Sequence, residues 1–207
     1  MPQQMKLFYP GLNGCQNYRI PSLITTAKGT LIAAVDARMD RPGDNPNNID
    51  KCIMRSIDGG QIWEPLQIVV DYPGRGDDGA AACDPCILYD DDTGTIWMIF
   101  NHTPAGVGLW NSKPGKGFEQ NGNKILYDEF CNYFILGNDG CVYDAQGKRT
   151  GIIVDKSGNV IKDGEIAGNI YLKTGPLLEA RTSFLQAVKS EDDGLTWSEP
   201  IDLNPQV

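Results

Sequence analysis

One eight-residue frame constrains this chain more than any other feature. Ser-x-Asp-x-Gly-x-x-Trp occurs as Ser56-Ile57-Asp58-Gly59-Gly60-Gln61-Ile62-Trp63 and again as Ser190-Glu191-Asp192-Asp193-Gly194-Leu195-Thr196-Trp197. Both copies run on to Glu-Pro, with one extra Ser in the second. The chain holds only 4 Trp in 207 residues, so a Trp returning in one frame marks a repeated unit. Asp and Ser side chains bond nearby backbone amides, and Gly accepts a positive backbone angle, so the frame reads as a hairpin turn. Its Trp folds back as an apolar plug with a polar N–H edge. The frame stabilises a turn and carries no chemistry. A chain with 24 Gly, 13 Pro and little helical periodicity around such turns reads as all-β, built of short strands.

In chain order, 7–14 reads as an entering strand and turn. Residues 18–25 and 29–37 read as strands paired around Ala27-Lys28-Gly29, and 40–48 as a loop. Strand 50–56 enters the first frame, which turns it into 67–70, the fourth strand of one sheet. After a Gly/Asp-rich loop at 72–82, strands 84–90 and 95–101 are joined by Asp91-Asp92-Thr93-Gly94. The acids Asp90 to Asp92 lack EF-hand spacing and read as a solvated hairpin turn, so no metal is expected. Strand 184–190 then enters the second frame. The intervening 112–181 carries turns at Gly137-Asn138-Asp139-Gly140, Ala145-Gln146-Gly147-Lys148, Lys156-Ser157-Gly158-Asn159 and Lys162-Asp163-Gly164-Glu165. Turns at that spacing mark a small antiparallel unit inserted into a sheet, with strands such as 133–136, 141–143, 150–154 and 169–173. The expected organisation is therefore 1–111, an insert 112–181, and 182–207.

The chemistry concentrates in Tyr18-Arg19-Ile20-Pro21 and in 36–50. Pro21 fixes its own backbone and biases Ile20 toward an extended conformation, which holds Arg19 on a strand. Asp36-Ala37-Arg38 leads into a loop of Pro, Gly, Asn and Asp that contains Asp44. A fixed Arg, a second Arg and a loop carboxylate on neighbouring strands suit an anion site with an acid beside it. The alternative is a structural ion pair between Arg19 and any of the 27 acidic residues.

Together these features resemble the sialidases (neuraminidases). Tyr18-Arg19-Ile20-Pro21 is similar to that family's F/Y-R-I-P motif, the two frames to its Asp boxes, and Asp-Ala-Arg with Asp44 lies between them in the family's order. The resemblance covers 7–111 and 184–207. It implies a six-bladed β-propeller of four-stranded sheets, of which this chain covers about the first two, the second split by the insert. It implies structural Asp boxes at Ser56, Asp58, Gly60 and Trp63 and at Ser190, Asp192, Gly194 and Trp197. Arg19 would bind the sialic-acid carboxylate, since guanidinium grips a carboxylate bidentately and stays charged. Asp44 would be the general acid/base, with Asp40 and Asp50 as rivals. Arg38 would lie near the sugar's 4-hydroxyl, and Asp84 near that hydroxyl and the N-acetyl group; strand-end salt bridges are the alternative for both. The family's Tyr nucleophile, its Glu partner and two more arginines come from later blades. None of the eight Tyr lies in a matching motif, and His102 reads as a loop residue. Gly168-Asn169-Ile170-Tyr171-Leu172 and the turns before it resemble the insert of a subgroup with intramolecular trans-sialidases, which prefer α2-3 linkages and release an anhydro sugar.

The expected function is thus that of an exo-α-sialidase acting on sialylated glycoconjugates, needing no cofactor, with intramolecular trans-sialylation as its variant. The competing reading is a non-catalytic Asp-box module for glycan binding or assembly, which has no need of Arg19, Arg38, Asp44 and Asp84 together. Read as a fragment, the chain is expected to be inactive alone and to self-associate or pair with a chain carrying the remaining blades. A net charge of −9 speaks against nucleic-acid partners. No apolar run approaches the roughly 20 residues of a membrane helix. The scattered cysteines, Cys83-Asp84-Pro85-Cys86 included, read as structural thiols and point to a reducing compartment, whereas the family in bacteria is mostly exported or surface-bound. MPQQMKLFYPG has no signal-type apolar run.

Overall fold

The computed structural model describes residues 4–115 and 117–206. Those residues form an all-β structure, as the turn-rich sequence requires. Four strands come first: β1 (Asn17–Thr25), β2 (Leu31–Arg38), β3 (Ile49–Ser56) and β4 (Gln67–Val70). They pair in order as an antiparallel meander. Next come β5 (Ala81–Asp90), β6 (Thr95–Thr103), β7 (Lys124–Tyr127), β8 (Tyr133–Leu136), β9 (Cys141–Tyr143), β10 (Arg149–Val154), β11 (Asn159–Lys162), β12 (Glu165–Asn169), β13 (Leu178–Glu179), β14 (Phe184–Ser190) and β15 (Ile201–Asp202). A second antiparallel meander runs β5-β6-β14-β15, and one parallel pairing, Ile49 with Ala81, joins the two. A separate sheet contains β7 to β13 in the order β12-β11-β10-β9-β8-β7-β13.

The meanders bury a common core. Strand β2 is covered along nearly its whole length, and Ile32, Ala34 and Ile53 of the first meander pack with Met98, Phe100 and Val188 of the second. A fully buried large aliphatic or aromatic side chain stabilises by about 1.5–3 kcal/mol, so this contact dominates the union of the two meanders. The first and fifth strands share a distortion. On β1 one extra residue sits between Arg19 and Ser22, on β5 between Cys83 and Cys86. In each the residue before a proline turns left-handed, Ile20 at φ 56° and Asp84 at φ 59°. Ile20 is therefore not extended, as the following proline suggested. Each bulge takes that residue in the left-handed region, and ladder pairing on both sides holds it. The entering segment 7–14 is not a strand either. It forms a short 3-10 turn at Leu12–Gly14, where the Tyr18 hydroxyl donates to the Leu12 carbonyl at 2.7 Å and Phe8 packs on Tyr18.

Both repeated frames fold as hairpin turns. In the first, Asp58 Oδ1 accepts from the amides of Gln61 and Ile62, both at 2.9 Å, and Ser56 Oγ accepts from the Gly60 amide at 3.0 Å. In the second, Asp192 Oδ1 accepts from the Thr196 amide at 2.8 Å and Ser190 Oγ from the Gly194 amide at 2.9 Å. The copies differ at the fourth position. Gly59 takes φ 74°, whereas Asp193 takes φ 64° at the corresponding place. Asp193 tolerates that angle because its side chain is bonded into the first meander. Its carboxylate accepts from Thr26 Oγ1 at 2.8 Å and Thr30 Oγ1 at 2.6 Å and pairs with Arg55 at 3.3 Å. Asp193→Asn keeps the left-handed tolerance and removes the charge. It is expected to destabilise the chain by about 2 kcal/mol in denaturant titration; an unchanged midpoint would mean the Asp193 charge adds nothing to the union of the two meanders.

In the second sheet, three hairpins repeat one device. Asp128, Asp144 and Asp155 each accept through Oδ1 from the amides two and four residues on. The residue three places on is left-handed: Cys131 at φ 62°, Gly147 at 79° and Gly158 at 78°. The stretch expected as strand 169–173 instead turns after Asn169, whose Oδ1 accepts from the Tyr171 amide at 3.0 Å.

The two sheets meet over buried charge. His102 lies on β6 and is fully buried, not in a loop. Its Nε2 is 2.8 Å from Glu179 Oε2, and its Nδ1 is 3.0 Å from the Ala81 carbonyl oxygen. Lys124 pairs with Glu179 at 2.5 Å and Asp202 at 2.9 Å. Tyr72, Tyr171 and Phe184 pack on the His102 ring.

Candidate functional site

Strand β2 supplies two charged side chains on one face, Asp36 and Arg38, because residues two apart point the same way. Antiparallel register sets Arg19 of β1 opposite Asp36 on one side and Lys51 of β3 on the other. Asp36, Arg38 and Lys51 are buried. Asp36 Oδ2 accepts from Arg38 Nη2 at 3.1 Å, and Oδ1 accepts from Lys51 Nζ. Lys51 Nζ also donates to the Ala82 carbonyl at 2.6 Å, and the Asp84 amide donates to Asp36 Oδ1 at 3.0 Å. One carboxylate thus ties β2, β3 and β5 together. Burying a charge is costly unless it is paired and hydrogen-bonded, and Asp36 meets both conditions.

Above this base sits Asp44. Its Oδ1 accepts from Arg38 Nη1 and, more loosely, from Arg19 Nη1 at 3.5 Å. Both guanidiniums also donate to the Pro42 carbonyl, at 3.2 Å from Arg19 and 3.3 Å from Arg38. The site is graded in exposure: side-chain accessibility is 1% at Arg38, 47% at Arg19 and 71% at Asp44. Three contacting cations, Arg19, Arg38 and Lys51, face two carboxylates, Asp36 and Asp44. The most exposed of the three cations is Arg19, whose contact with Asp44 is the long one at 3.5 Å. Such a cation can take an anion from solution, and a planar anion with two oxygens matches the guanidinium fork best.

The hydrogen bond from Arg38 holds the Asp44 carboxyl below the usual aspartate range, with the Arg38 and Arg19 charges adding to it. Burial opposes the Arg38 charge, but Asp44 and Asp36 outweigh it and raise its pKa. Burial lowers that of Lys51 against the pull of Asp36.

The sequence-predicted residues are placed as follows. Arg19, Arg38 and Asp44 come together. Asp84 joins them through its backbone amide, while its side chain is exposed. Asp40 accepts from the Gly76 amide at 2.6 Å and braces the loop from outside. Asp50 is buried and accepts from the Tyr72 amide at 3.3 Å; burial, then the Asp71 charge, raise it to about 7. Two members were missed, Asp36 and Lys51. The i, i+2 spacing of Asp36 and Arg38 on a strand was the available signal for the first. Lys51 has none without the register, since nothing local sets it opposite Asp36.

No family model matches the chain. It is similar to the anhydrosialidase of Macrobdella decora, 28% identical over 248 residues, covering 93% of this chain and 32% of that protein. It is also similar to a sialidase of Bacteroides fragilis, 28% identical over 190 residues, covering 87% of this chain and 33% of that protein. Among solved structures, a leech intramolecular trans-sialidase complexed with 2,7-anhydro-Neu5Ac superimposes with a TM-score of 0.88 at 23% identity, over 99% of this chain and 38% of that one. At that identity the superposition speaks for the fold alone. The chain spans about a third of the length of the curated relatives it matches.

Proposed function

The chain belongs to the sialidase family, and from that premise we propose that it forms part of an exo-α-sialidase that releases terminal sialic acid from glycoconjugates. The observation that carries this is the convergence of Arg19 and Arg38 on Asp44, with Arg19 half exposed and only loosely paired. In this reading a substrate carboxylate takes the place on Arg19 that Asp44 Oδ1 holds. The 3.5 Å contact is long for a charge-assisted bond and is easily exchanged. Substrate binding would then strip one cation from Asp44 and exclude water, and both effects move its carboxyl upward, toward a working acid. Asp44 protonates the leaving glycosidic oxygen and later deprotonates the attacking group, whether water or a hydroxyl of the same sugar. Arg38 and Asp84 face the sugar's 4-hydroxyl and N-acetyl side.

The two antiparallel meanders would be the first two of six blades, and 112–181 an insert in the second. The similarity to an anhydrosialidase supports, within this reading, the intramolecular trans-sialidase variant acting on α2-3 linkages. The remaining blades would supply the tyrosine nucleophile and two further arginines. The 207-residue chain alone would then turn over no fluorogenic sialoside, and mixing it with a chain carrying the remaining blades would restore activity. Turnover by a monodisperse monomer of this chain overturns the assignment of the site.

Arg19 offers the sharpest test of the carboxylate contact. In protein that carries all the blades, Arg19→Lys is expected to lower kcat/KM by about 100-fold, because an ammonium keeps the charge but cannot match the carboxylate fork. Near parental kinetics for Arg19→Lys would remove Arg19 from substrate binding.

A further inference from the structure

The loop between β2 and β3 carries Asp44, and it is gripped from two sides by backbone that approaches too closely for any side chain. On one side is Gly79, where a Cβ would lie 2.5 Å from Asn48 Cβ and 2.7 Å from Asn48 Cα. On the other is Gly108, where a Cβ would lie 2.3 Å from the Asn45 carbonyl oxygen and 2.7 Å from Pro46 Cδ. Polar contacts repeat the same two-sided grip. Asn48 Nδ2 donates to the Tyr72 carbonyl at 3.1 Å, and Arg41 pairs with Asp77. Asn45 Nδ2 donates to Thr103 Oγ1 at 2.8 Å.

Neither jaw is free-standing. The Gly108 jaw is tied within itself by Asn111, whose Oδ1 accepts from the Gly108 amide at 2.7 Å and whose Nδ2 donates to the Gly106 carbonyl at 2.8 Å. Its base is fixed by the chain returning from the second sheet. The Ala105 amide donates to the Tyr171 carbonyl at 2.8 Å, Arg181 Nη2 donates to the Ala105 carbonyl at 2.5 Å, and the Lys113 amide donates to the Arg181 carbonyl at 2.9 Å. The Gly79 jaw is tied to that same returning chain by Lys173, which pairs with Asp78 at 3.0 Å. Tyr171, Lys173 and Arg181 all lie between β12 and β14.

We propose that the chain returning from the second sheet positions the candidate acid: through Tyr171, Lys173 and Arg181 it sets the Gly79–Gly108 clamp, and the clamp fixes the backbone that carries Asp44. This rests on the reading of Asp44 as the acid. The need for a clamp follows from the exposure of Asp44. Among the described residues its side chain is held by Arg38 and Arg19, and an anion arriving on Arg19 removes one of the two. A displacement near 1 Å at a reacting group costs about 100-fold in rate, so a loop that lost an anchor during binding would lose its chemistry.

The test uses Gly108→Ala, which pushes the jaw off Asn45, and Asn111→Ala, which slackens the jaw from an exposed position and leaves the core untouched. In the 207-residue chain, the Asp44 carboxyl is titrated by carbon-detected NMR, with Arg38 and Arg19 as the charged groups that face it. Both variants are expected to move its midpoint upward, toward that of a free aspartate, as the contact with Arg38 loosens. In protein carrying all the blades, Gly108→Ala is expected to slow natural sialosides by about 100-fold while aryl sialosides slow far less and KM stays level. A merely structural role moves neither the midpoint nor that split. An unchanged Asp44 midpoint in both variants overturns the proposal, and if Gly108→Ala does not fold, Asn111→Ala decides it. A shifted midpoint, together with no sialoside turnover by unsubstituted protein that carries all the blades, upholds the clamp and instead removes the enzymatic reading.

Discussion

Asp44→Asn is expected to slow cleavage of natural sialyl linkages by about 10²–10⁴-fold, the range a positioned general acid contributes. Aryl sialosides, whose leaving groups need little protonation, should slow far less. The geometry adds a second expectation. Asparagine has nearly the same shape but no charge, so it releases both guanidiniums that Asp44 now occupies. Binding of the substrate carboxylate should therefore hold or tighten while turnover collapses, so KM does not rise. The folded state should hardly notice, because Asp44 is exposed and an exposed ion pair contributes about 0–1 kcal/mol. What small contribution there is has a definite sign. The folded pKa is depressed, so the stability is present above the unfolded value and lost as pH falls through the folded one. Equal loss on aryl and natural substrates would show that Asp44 does not deliver the proton.

Glu179→Gln should be the most damaging single change to stability, costing about 3–5 kcal/mol at neutral pH. Glu179 is buried between the two sheets and serves His102 and Lys124 at once. Burial alone would raise its pKa; Lys124 and His102 overcome that and hold it at about 2. Replacing it leaves the Lys124 ammonium with Asp202 as its remaining carboxylate partner. The depressed pKa fixes the pH window. The contribution of Glu179 is present above its ordinary value of 4.5 and is lost as pH falls toward 2. Urea titrations of parent and variant should differ most at pH 7 and converge in acid. A gap that stayed constant across that window would mean the loss comes from shape and not from charge.

Much of this was legible from residue spacing alone. The first meander follows from alternating strands and a turn frame that dictates its own hydrogen bonds, and strands 133–136 and 141–143 follow from the Gly-containing turns at 137–140 and 145–148 beside them. What escaped reading depended on partners distant in the chain. His102 follows an apolar strand and reads as its loop; only Glu179, on a strand of the other sheet, explains why a histidine is buried there. Lys51 looks like an ordinary surface lysine until β2 and β3 are set in register. Ile20 reads as extended because proline disfavours the right-handed region for the residue before it. That rule says nothing against a left-handed residue held by ladder pairing on both sides, and the bulge uses that opening. Asp44 stood out early because loop carboxylates near two arginines are chemically conspicuous. The glycines that grip its loop have ordinary neighbours and give no such signal.

The shared kink of β1 and β5 has a consequence for how such a chain acquires new chemistry. In both strands the distortion is bracketed by regular ladder, Tyr18 to Ala37 and Ser22 to Ala34 in one, Ala82 to His102 and Cys86 to Ile99 in the other. The ladder supplies the cohesion, and the kinked residues lie outside its demands. Each kink is therefore a port: an address at which a side chain can be exchanged while the strand around it keeps its pairing. The unpaired residues are Ile20 and Pro21 in one port and Asp84 and Pro85 in the other, so one port presents an aliphatic side chain next to Arg19 and the other a carboxylate. Retuning the protein toward another anion would begin by rewriting the second port and leaving every paired residue as it is.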